Sequence, residues 1–367
     1  MSLAIAGMGW VTPLGSNVSA VWNQLLGGEE AAPETISSSL NPRSYPAFRV
    51  PAAAIDGMPK HARLRRASAI SKFAVVAGLA ALQDARVEAT AERVALIFAI
   101  SNGGVIYTKR FFHDLVETGA RSASPLLFPE TVFNAPASHL AAILGITGVS
   151  YTLVGDGAVG ILALKMAEDL MESETLDYCL VVGAEEVDWL LCDAYHKWRL
   201  LRRQPPIEPF SRPPRGTILS EGAGAVLLGR RKGKVAINRI SAGGDYPRQK
   251  HASDWLRKIF RELEPEKSSL LMASANGTFV DLAEFEAASA ELPDALIYSL
   301  KGALGESVGA SALWQTIAGA QALLTGKVPT NRLLPVHSGK TNDLRCALVS
   351  ACGLNQQLAG LLLRLED

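Results

Sequence analysis

The sequence predicts an α/β layered protein. Short apolar runs alternate with longer helical patterns along the 367 residues. The runs are apolar on both faces, the pattern of strands covered on both sides by helices. The run at 151–154 breaks into Gly155-Asp156-Gly157-Ala158 before an apolar helical stretch, which reads as a strand-to-helix elbow. In chain order, a strand at 3–8 precedes helices at 18–26 and 67–85. A strand at 94–100, a helix at 139–144 and the elbow strand follow. The helix at 159–171 leads to strands at 178–182, 223–228 and 235–240. The remainder reads as helix 252–262, strand 269–274, helix 282–291, strand 295–300, helix 309–324 and strands 347–350 and 358–363. The Arg- and Pro-rich stretch 199–215 is the least regular and reads as a surface loop.

The two halves echo one another. In the first, a strand and a glycine-rich elbow enter helix 159–171. In the second, strand 295–300 and the glycine-bearing loop 302–309 enter helix 309–324. Each half ends in an apolar pair that reads as a hairpin, 223–228 with 235–240 and 347–350 with 358–363. The basic turn at 230–234 marks the seam. The expected organisation is therefore a duplication, 1–232 and 233–367, packed as one body.

Composition narrows the function. The chain is 48% hydrophobic with 32 glycines, enough for a large core. Its 36 basic and 36 acidic residues cancel, so nothing global favours nucleic acid or an anionic membrane. The first residues carry no basic leader pattern and read as a buried strand. No run approaches the roughly 20 apolar residues of a membrane span. Cys179, Cys192, Cys346 and Cys352 lack metal-ligand spacing and read as scattered thiols of a reducing, cytoplasmic setting. No metal or cofactor is called for.

The elbow is the informative feature. Acyl-transfer enzymes hold a nucleophile at such a turn, where the helix N-terminus supplies N–H groups and a positive dipole end. Those groups depress a thiol pKa and stabilise an oxyanion. Here the turn offers Gly157, which has no side chain to attack with.

Several stretches together resemble the β-ketoacyl-ACP synthases of the thiolase fold, over essentially the whole chain. They include Ile5 to Gly15 with Trp22, Asn134 with His139-Leu140, and Leu144 to Ser150. Val182-Gly183-Ala184-Glu185, Pro209-Phe210-Ser211-Arg212-Pro213 and Glu221-Gly222-Ala223-Gly224-Ala225 complete them. The resemblance implies a duplicated α-β-α-β-α layered fold. It also implies a cysteine nucleophile and two histidines, which fall at Gly157, Asn276 and Glu306. The first histidine opens a His-Gly-Thr motif, here Asn276-Gly277-Thr278. The second follows a lysine by five residues, and that lysine is present as Lys301. A bulky gate is replaced by Ala351, and Ala351, Cys352 and Asn134 are expected at the substrate tunnel or its gate.

These replacements remove the chemistry. Asparagine does not shuttle a proton near neutral pH. An ionised Glu306 only accepts, and repels an oxyanion or a malonyl carboxylate. Losing one member of a cooperating set costs on the order of 10⁶ in rate in a hydrolase triad. The resemblance therefore implies a chain-length-factor-like subunit without covalent chemistry. It would pair with an active ketosynthase in a heterodimer, share an acyl carrier protein, and serve an aryl polyene or aromatic polyketide pathway. The competing reading is a stand-alone hydrolase or decarboxylase using Glu306, Asp156 or Cys352. Simpler roles stand beside these. Lys301 and Glu306 read as an ion pair filling vacated space, Asp156 as a cap for the following helix, Cys352 as packing and His139 as structural. Arg63, Arg65 and Arg66 admit two readings, a carrier-protein contact or a solvated helix start.

Overall fold

Strand and helix patterns become the following elements in the structure, a computed structural model that describes residues 3–39, 41–173, 175–230, 233–266, 269–330, 333–335 and 344–366. The basic turn expected at 230–234 lies partly outside them, at Arg231 and Lys232. The first elements are β1 (Leu3–Val11), α1 (Val18–Leu26), β2 (Glu34–Ser38), β3 (Asn41–Ala47), α2 (Ala69–Ala85), β4 (Val94–Ile100) and α3 (Val105–Thr118). Then come α4 (Ala135–Leu144), β5 (Ser150–Val154), α5 (Val159–Ser173), β6 (Tyr178–Glu185), α6 (Trp189–Lys197) and β7 (Gly222–Gly229). The second half holds β8 (Val235–Ile240), β9 (Gly244–Asp245), α7 (Ala252–Leu263), β10 (Ser269–Met272), α8 (Phe279–Glu291) and β11 (Leu296–Tyr298). It ends with α9 (Lys301–Leu304), α10 (Ser311–Thr325), β12 (Leu333–Pro335), β13 (Cys346–Cys352) and β14 (Gln357–Leu365).

Among the described residues the main sheet runs β12-β11-β10-β13-β14-β8-β1-β7-β6-β4-β5, with β9 beside β14. In the first half β5, β4 and β6 are parallel and β7 and β1 are antiparallel to their neighbours. The same order recurs in the second half, with β11, β10 and β13 parallel and β14 and β8 antiparallel. Helices α2 and α4 cover one face of the first half, and α7 and α8 cover one face of the second. Helices α5 and α10 lie between the two half-sheets, where the largest apolar cluster forms. This is the α/β layered fold expected from the alternation. Every residue of β4, β6 and β7 is buried, because each strand is covered on both faces.

One expected pairing is corrected. The runs at 223–228 and 235–240 do not form a hairpin. β1 lies between them, with Val11 opposite Ala223 on one edge and Leu3 opposite Ile237 on the other. β1 is almost wholly buried, and a direct β7–β8 hairpin would leave backbone groups on one of its edges unpaired inside the core. The second expected pair does form, from Cys346 opposite Arg364 to Cys352 opposite Leu358. The 199–215 stretch has neither helix nor strand but is not all surface. Ile207 is fully buried, and the buried Arg202 donates to the Gln204 carbonyl and pairs with Glu208 at 3.0 Å.

The central helices approach closely because glycines face them. A Cβ on Gly160 of α5 would lie 3.0 Å from the Ala312 Cβ of α10. A Cβ on Gly183 would run into the Gly309 carbonyl. Overpacking of this kind costs about 1–3 kcal/mol. We predict that Gly183→Val lowers stability by that amount. Urea unfolding should show an earlier midpoint at unchanged slope, and an unshifted midpoint would refute the close-approach argument.

Candidate active site

The elbow sits where β5 ends and α5 begins. The Asp156 carbonyl accepts from the Val159 N–H at 2.8 Å and closes the first helical turn. A Cβ on Gly157 would lie 3.0 Å from the Gly353 Cα. The turn between β13 and β14 is therefore packed onto the elbow, and any side chain at 157 displaces it. Asp156 does not spend its carboxylate on capping α5 alone. It accepts from the Asn355 N–H at 2.6 Å, and its own N–H donates to Gln357 Oε1 at 2.8 Å. Burial pushes the Asp156 carboxyl above its ordinary value. The N–H groups of Asn355, Gly157 and Leu354 pull the other way, and Glu306 adds to the rise.

Asn276, Lys301 and Glu306 come together although they are far apart in sequence. Asn276 Nδ2 donates to Glu306 Oε2 at 2.7 Å, and Lys301 Nζ reaches the same oxygen at 2.7 Å. The Lys301 and Glu306 side chains are 4% and 2% exposed. Asn276 Oδ1 accepts from the Thr278 hydroxyl at 2.6 Å, so the amide orientation is set by its neighbours. The backbone of Glu306 is clamped as well, taking the Ile218 carbonyl at 2.9 Å and giving its own carbonyl to the Ser220 N–H. Among the described residues Glu306 Oε1 has no hydrogen-bond partner. The pair reads as a structural clasp, since Lys301 neutralises the one carboxylate oxygen that faces it.

Ser274 links this clasp to the β13 end. Its hydroxyl accepts from Cys352 N–H at 2.9 Å and donates to the Cys352 carbonyl at 3.1 Å, and Lys301 Nζ lies 3.4 Å away. All four cysteines are free and buried. Burial, with Glu284 adding, raises the Cys352 thiol far beyond its ordinary range. A raised thiol pKa and full burial make Cys352 a weaker nucleophile than a free thiol.

The open space lies beside the elbow. A cavity of about 640 Å³ is bounded by Asp156, Tyr195, Trp198, Gln249 and Asn355, among others. Ala351 and Cys352 are not among its walls. Both are 1% exposed within β13, and the next turn, Leu354 to Gln357, lines it instead. Asn134 is exposed ahead of α4 and is also absent from the lining. Asn102, Leu191 and Tyr195 also border a void of about 10 Å³, together with Glu306, Glu185, Glu186 and Ser220, the size of a single water. The wall helix α6 has a sequence signal, Asp188 accepting from the Leu190 N–H at 2.9 Å. Its short apolar pattern is too weak to announce the helix. His139 pairs with Glu130 at 2.7 Å, a structural role. Arg63, Arg65 and Arg66 are exposed around a short 3₁₀ turn.

Comparison with known proteins places the fold in context. Residues 2–233 match the family described as Beta-ketoacyl synthase, N-terminal domain. The chain belongs to the β-ketoacyl synthase family. Among curated relatives, it is 25% identical over 235 residues to Nodulation protein E of Rhizobium leguminosarum bv. trifolii, covering 62% of this chain and 57% of that protein. It is 22% identical over 360 residues to the chloroplastic 3-oxoacyl-[acyl-carrier-protein] synthase I of Arabidopsis thaliana, covering 88% and 76%. The match thus spans little more than half the length of the Nodulation protein E relatives. Among solved structures, "The ishigamide ketosynthase/chain length factor" superposes with TM-score 0.86 at 19% identity, covering 100% of this chain and 99% of that one. "Ketosynthase (ApeO) in Complex with its Chain Length Factor (ApeC)" from Xenorhabdus doucetiae gives 0.84 at 18%, covering 99% and 98%. At these identities the structures establish a shared thiolase-like fold.

Two predictions follow from the buried charges. Removing one partner of a buried pair costs about 3–5 kcal/mol, whereas replacing both by apolar groups is often neutral. We predict that Lys301→Met destabilises by that range and that Lys301→Met with Glu306→Leu recovers most of the loss. A double variant as weak as the single one would contradict the clasp. Burial also pushes Glu185 to about 8, and Glu186 and Glu284 to about 7. A carboxyl raised in the folded state binds its proton more tightly there. Its stabilisation is complete below the unfolded carboxyl range of about 4.3 and is lost as pH rises through 7–8. The melting temperature should therefore fall between about pH 5 and pH 8 and level off above that, and Glu185→Gln should flatten that slope.

Proposed function

We propose that this chain is a catalytically silent ketosynthase-like subunit, a chain-length factor, that pairs with an active β-ketoacyl synthase and shapes its acyl tunnel. The observation that carries this reading is the site itself. Gly157 presents no attacking atom at the elbow, and the Glu306 carboxylate is clasped by Lys301 and Asn276. An acceptor-only group beside an empty nucleophile position gives no proton relay and no covalent intermediate.

An exposed apolar edge supports a partner. Among the described residues β5 is the last strand of the sheet, and its outer edge has no neighbour. Tyr151 and Val154 on it are 45% and 52% exposed, and Phe112 on α3 is 63% exposed. Apolar edge strands invite pairing with another chain. The cavity supports the tunnel-shaping role. A water-sized void shares Asn102, Leu191 and Tyr195 with the cavity and borders Glu306, and on this reading a growing acyl chain is housed mainly on the partner's side. The solved complexes described as a ketosynthase with its chain length factor, and as an acyl-carrier protein with its ketosynthase, share this fold. They favour an active ketosynthase and an acyl carrier protein as partners, in an aryl polyene or aromatic polyketide pathway of the cytoplasm. The segments 1–232 and 233–367 would be the two copies of an ancestral duplication.

Co-expression with a ketosynthase encoded beside this chain tests the reading. A one-to-one complex is expected, and Val154→Asp should weaken it at least tenfold without lowering the chain's own stability. Gly157→Cys alone should yield no β-ketoacyl product. Robust turnover of an acyl thioester by the chain alone, abolished by Glu306→Gln or Cys352→Ala, would establish the stand-alone enzyme instead. A stable homodimer indifferent to any ketosynthase would also overturn the proposal.

A further inference from the structure

We propose that the cavity beside the elbow is a binding site for a small organic cation, an alkylammonium that packs against Tyr195 and Trp198 with Asp156 as its counter-charge. The site goes beyond the silent-subunit reading and does not depend on a partner chain.

Two walls build it. Leu191, Ala194, Tyr195 and Trp198 recur at helical spacing, so α6 and its cap present one face to the cavity. The rings of Tyr195 and Trp198 lie 5.6 Å apart between centroids. Tyr195 is buried and Trp198 is 66% exposed, which gives the cavity an inner and an outer aromatic surface. The opposite wall is the elbow with the turn after β13. Asp156 is fixed there, since its carboxylate accepts from the Asn355 N–H at 2.6 Å and its own N–H donates to Gln357 Oε1 at 2.8 Å. Among the described residues that line the cavity none is a lysine, an arginine or a histidine, and Asp156 is the one acidic group. The other polar side chains are a serine hydroxyl, the Tyr195 phenol and the carboxamides of Asn102, Gln249, Asn355 and Gln357.

The charge behind the inner wall has the same sign. Asn102, Leu191 and Tyr195 are shared with the water-sized void that Glu185, Glu186 and Glu306 border. Lys301 sits on one oxygen of Glu306. The other oxygen belongs to a side chain 2% exposed and has no hydrogen-bond partner among the described residues. Burial pushes the Tyr195 phenol upward, and the Glu306 and Asp156 carboxylates add to that rise.

Lining and field select the same ligand class. A carboxylate or phosphate would be repelled from a cavity whose fixed charge is negative. A neutral ligand gains the aromatic contact but nothing from the field. A cation gains both, because aromatic faces attract alkylammonium groups. The volume of about 640 Å³ is within the range of small-molecule sites.

Probes of one shape and different charge test this. Choline, its neutral carbon isostere dimethylbutanol, and dimethylbutyrate, which carries the same tert-butyl head on a carboxylate, are titrated calorimetrically into the full chain at constant ionic strength and neutral pH. Choline should bind saturably, dimethylbutanol at least about tenfold more weakly, and dimethylbutyrate without saturation. Trp198→Ala should weaken choline about tenfold, and Trp198→Phe should recover most of that loss. Asp156→Asn keeps an acceptor for the Asn355 N–H and should weaken choline at least about tenfold. Equal binding of choline and dimethylbutanol, saturable binding of dimethylbutyrate at the choline level, no binding of choline, or choline binding unchanged in Trp198→Ala would each overturn the proposal. If Asp156→Asn does not fold, the probe series on the unmodified chain and the Trp198 variants decide it. The chain is titrated alone, so failure here leaves the ketosynthase pairing standing, and failure of that pairing leaves this site standing.

Discussion

The contact between α5 and α10 is the constraint on which the rest of the molecule depends. Both helices are enclosed between the half-sheets, and glycines at 160 and 183 allow the approach that larger side chains would prevent. With α5 held there, its N-terminus has one place to point, and the elbow 155–158 lands against the β13–β14 turn. With α10 held there, the loop before it carries Lys301 and Glu306 into the same interior. Two chain segments that are about half a sequence apart thus meet because their helices share a layer.

Within that interior the electrostatics are those of a filled site. The polar groups there are held by one another. Glu306 is held through one oxygen by Lys301 and Asn276, Asn276 by Thr278, Ser274 by the Cys352 backbone, and Asp156 by the Asn355 N–H. In a low-dielectric interior, unpaired charge is costly, so Lys301, Glu306 and Asn276 are held against one another. The layered scaffold of the family packs around a glycine at 157.

Much of the scaffold was legible in the residues because burial on both faces leaves a plain signal. The runs that became β4, β6 and β8 could be bounded to within a few residues, and α1 and α5 began where their apolar patterns did. Elements without such a signal were missed. Helix α3 has no buried residue, so its apolar side chains follow no core. β2 and β3 form a peripheral hairpin with mixed polarity. The pairing of 223–228 with 235–240 was misread because adjacency in sequence does not reveal that β1 fits between them. The wall of the cavity beside the elbow comes from the turn after β13 and from α6, elements that no local pattern brings together.

The sequence by itself determined the layered class, the glycine at the elbow and the residue types at 276, 301 and 306. Those are local facts: periodicity, side-chain size and chemical identity. Only the tertiary structure decided what those residues do to each other. That Glu306 is clasped by Lys301 and Asn276, that Cys352 is sealed within β13, and that the Asp156 carboxylate accepts from the Asn355 N–H all depend on distances across the fold. A one-dimensional pattern does not encode such distances, because they arise when two half-sheets close on a shared helical layer.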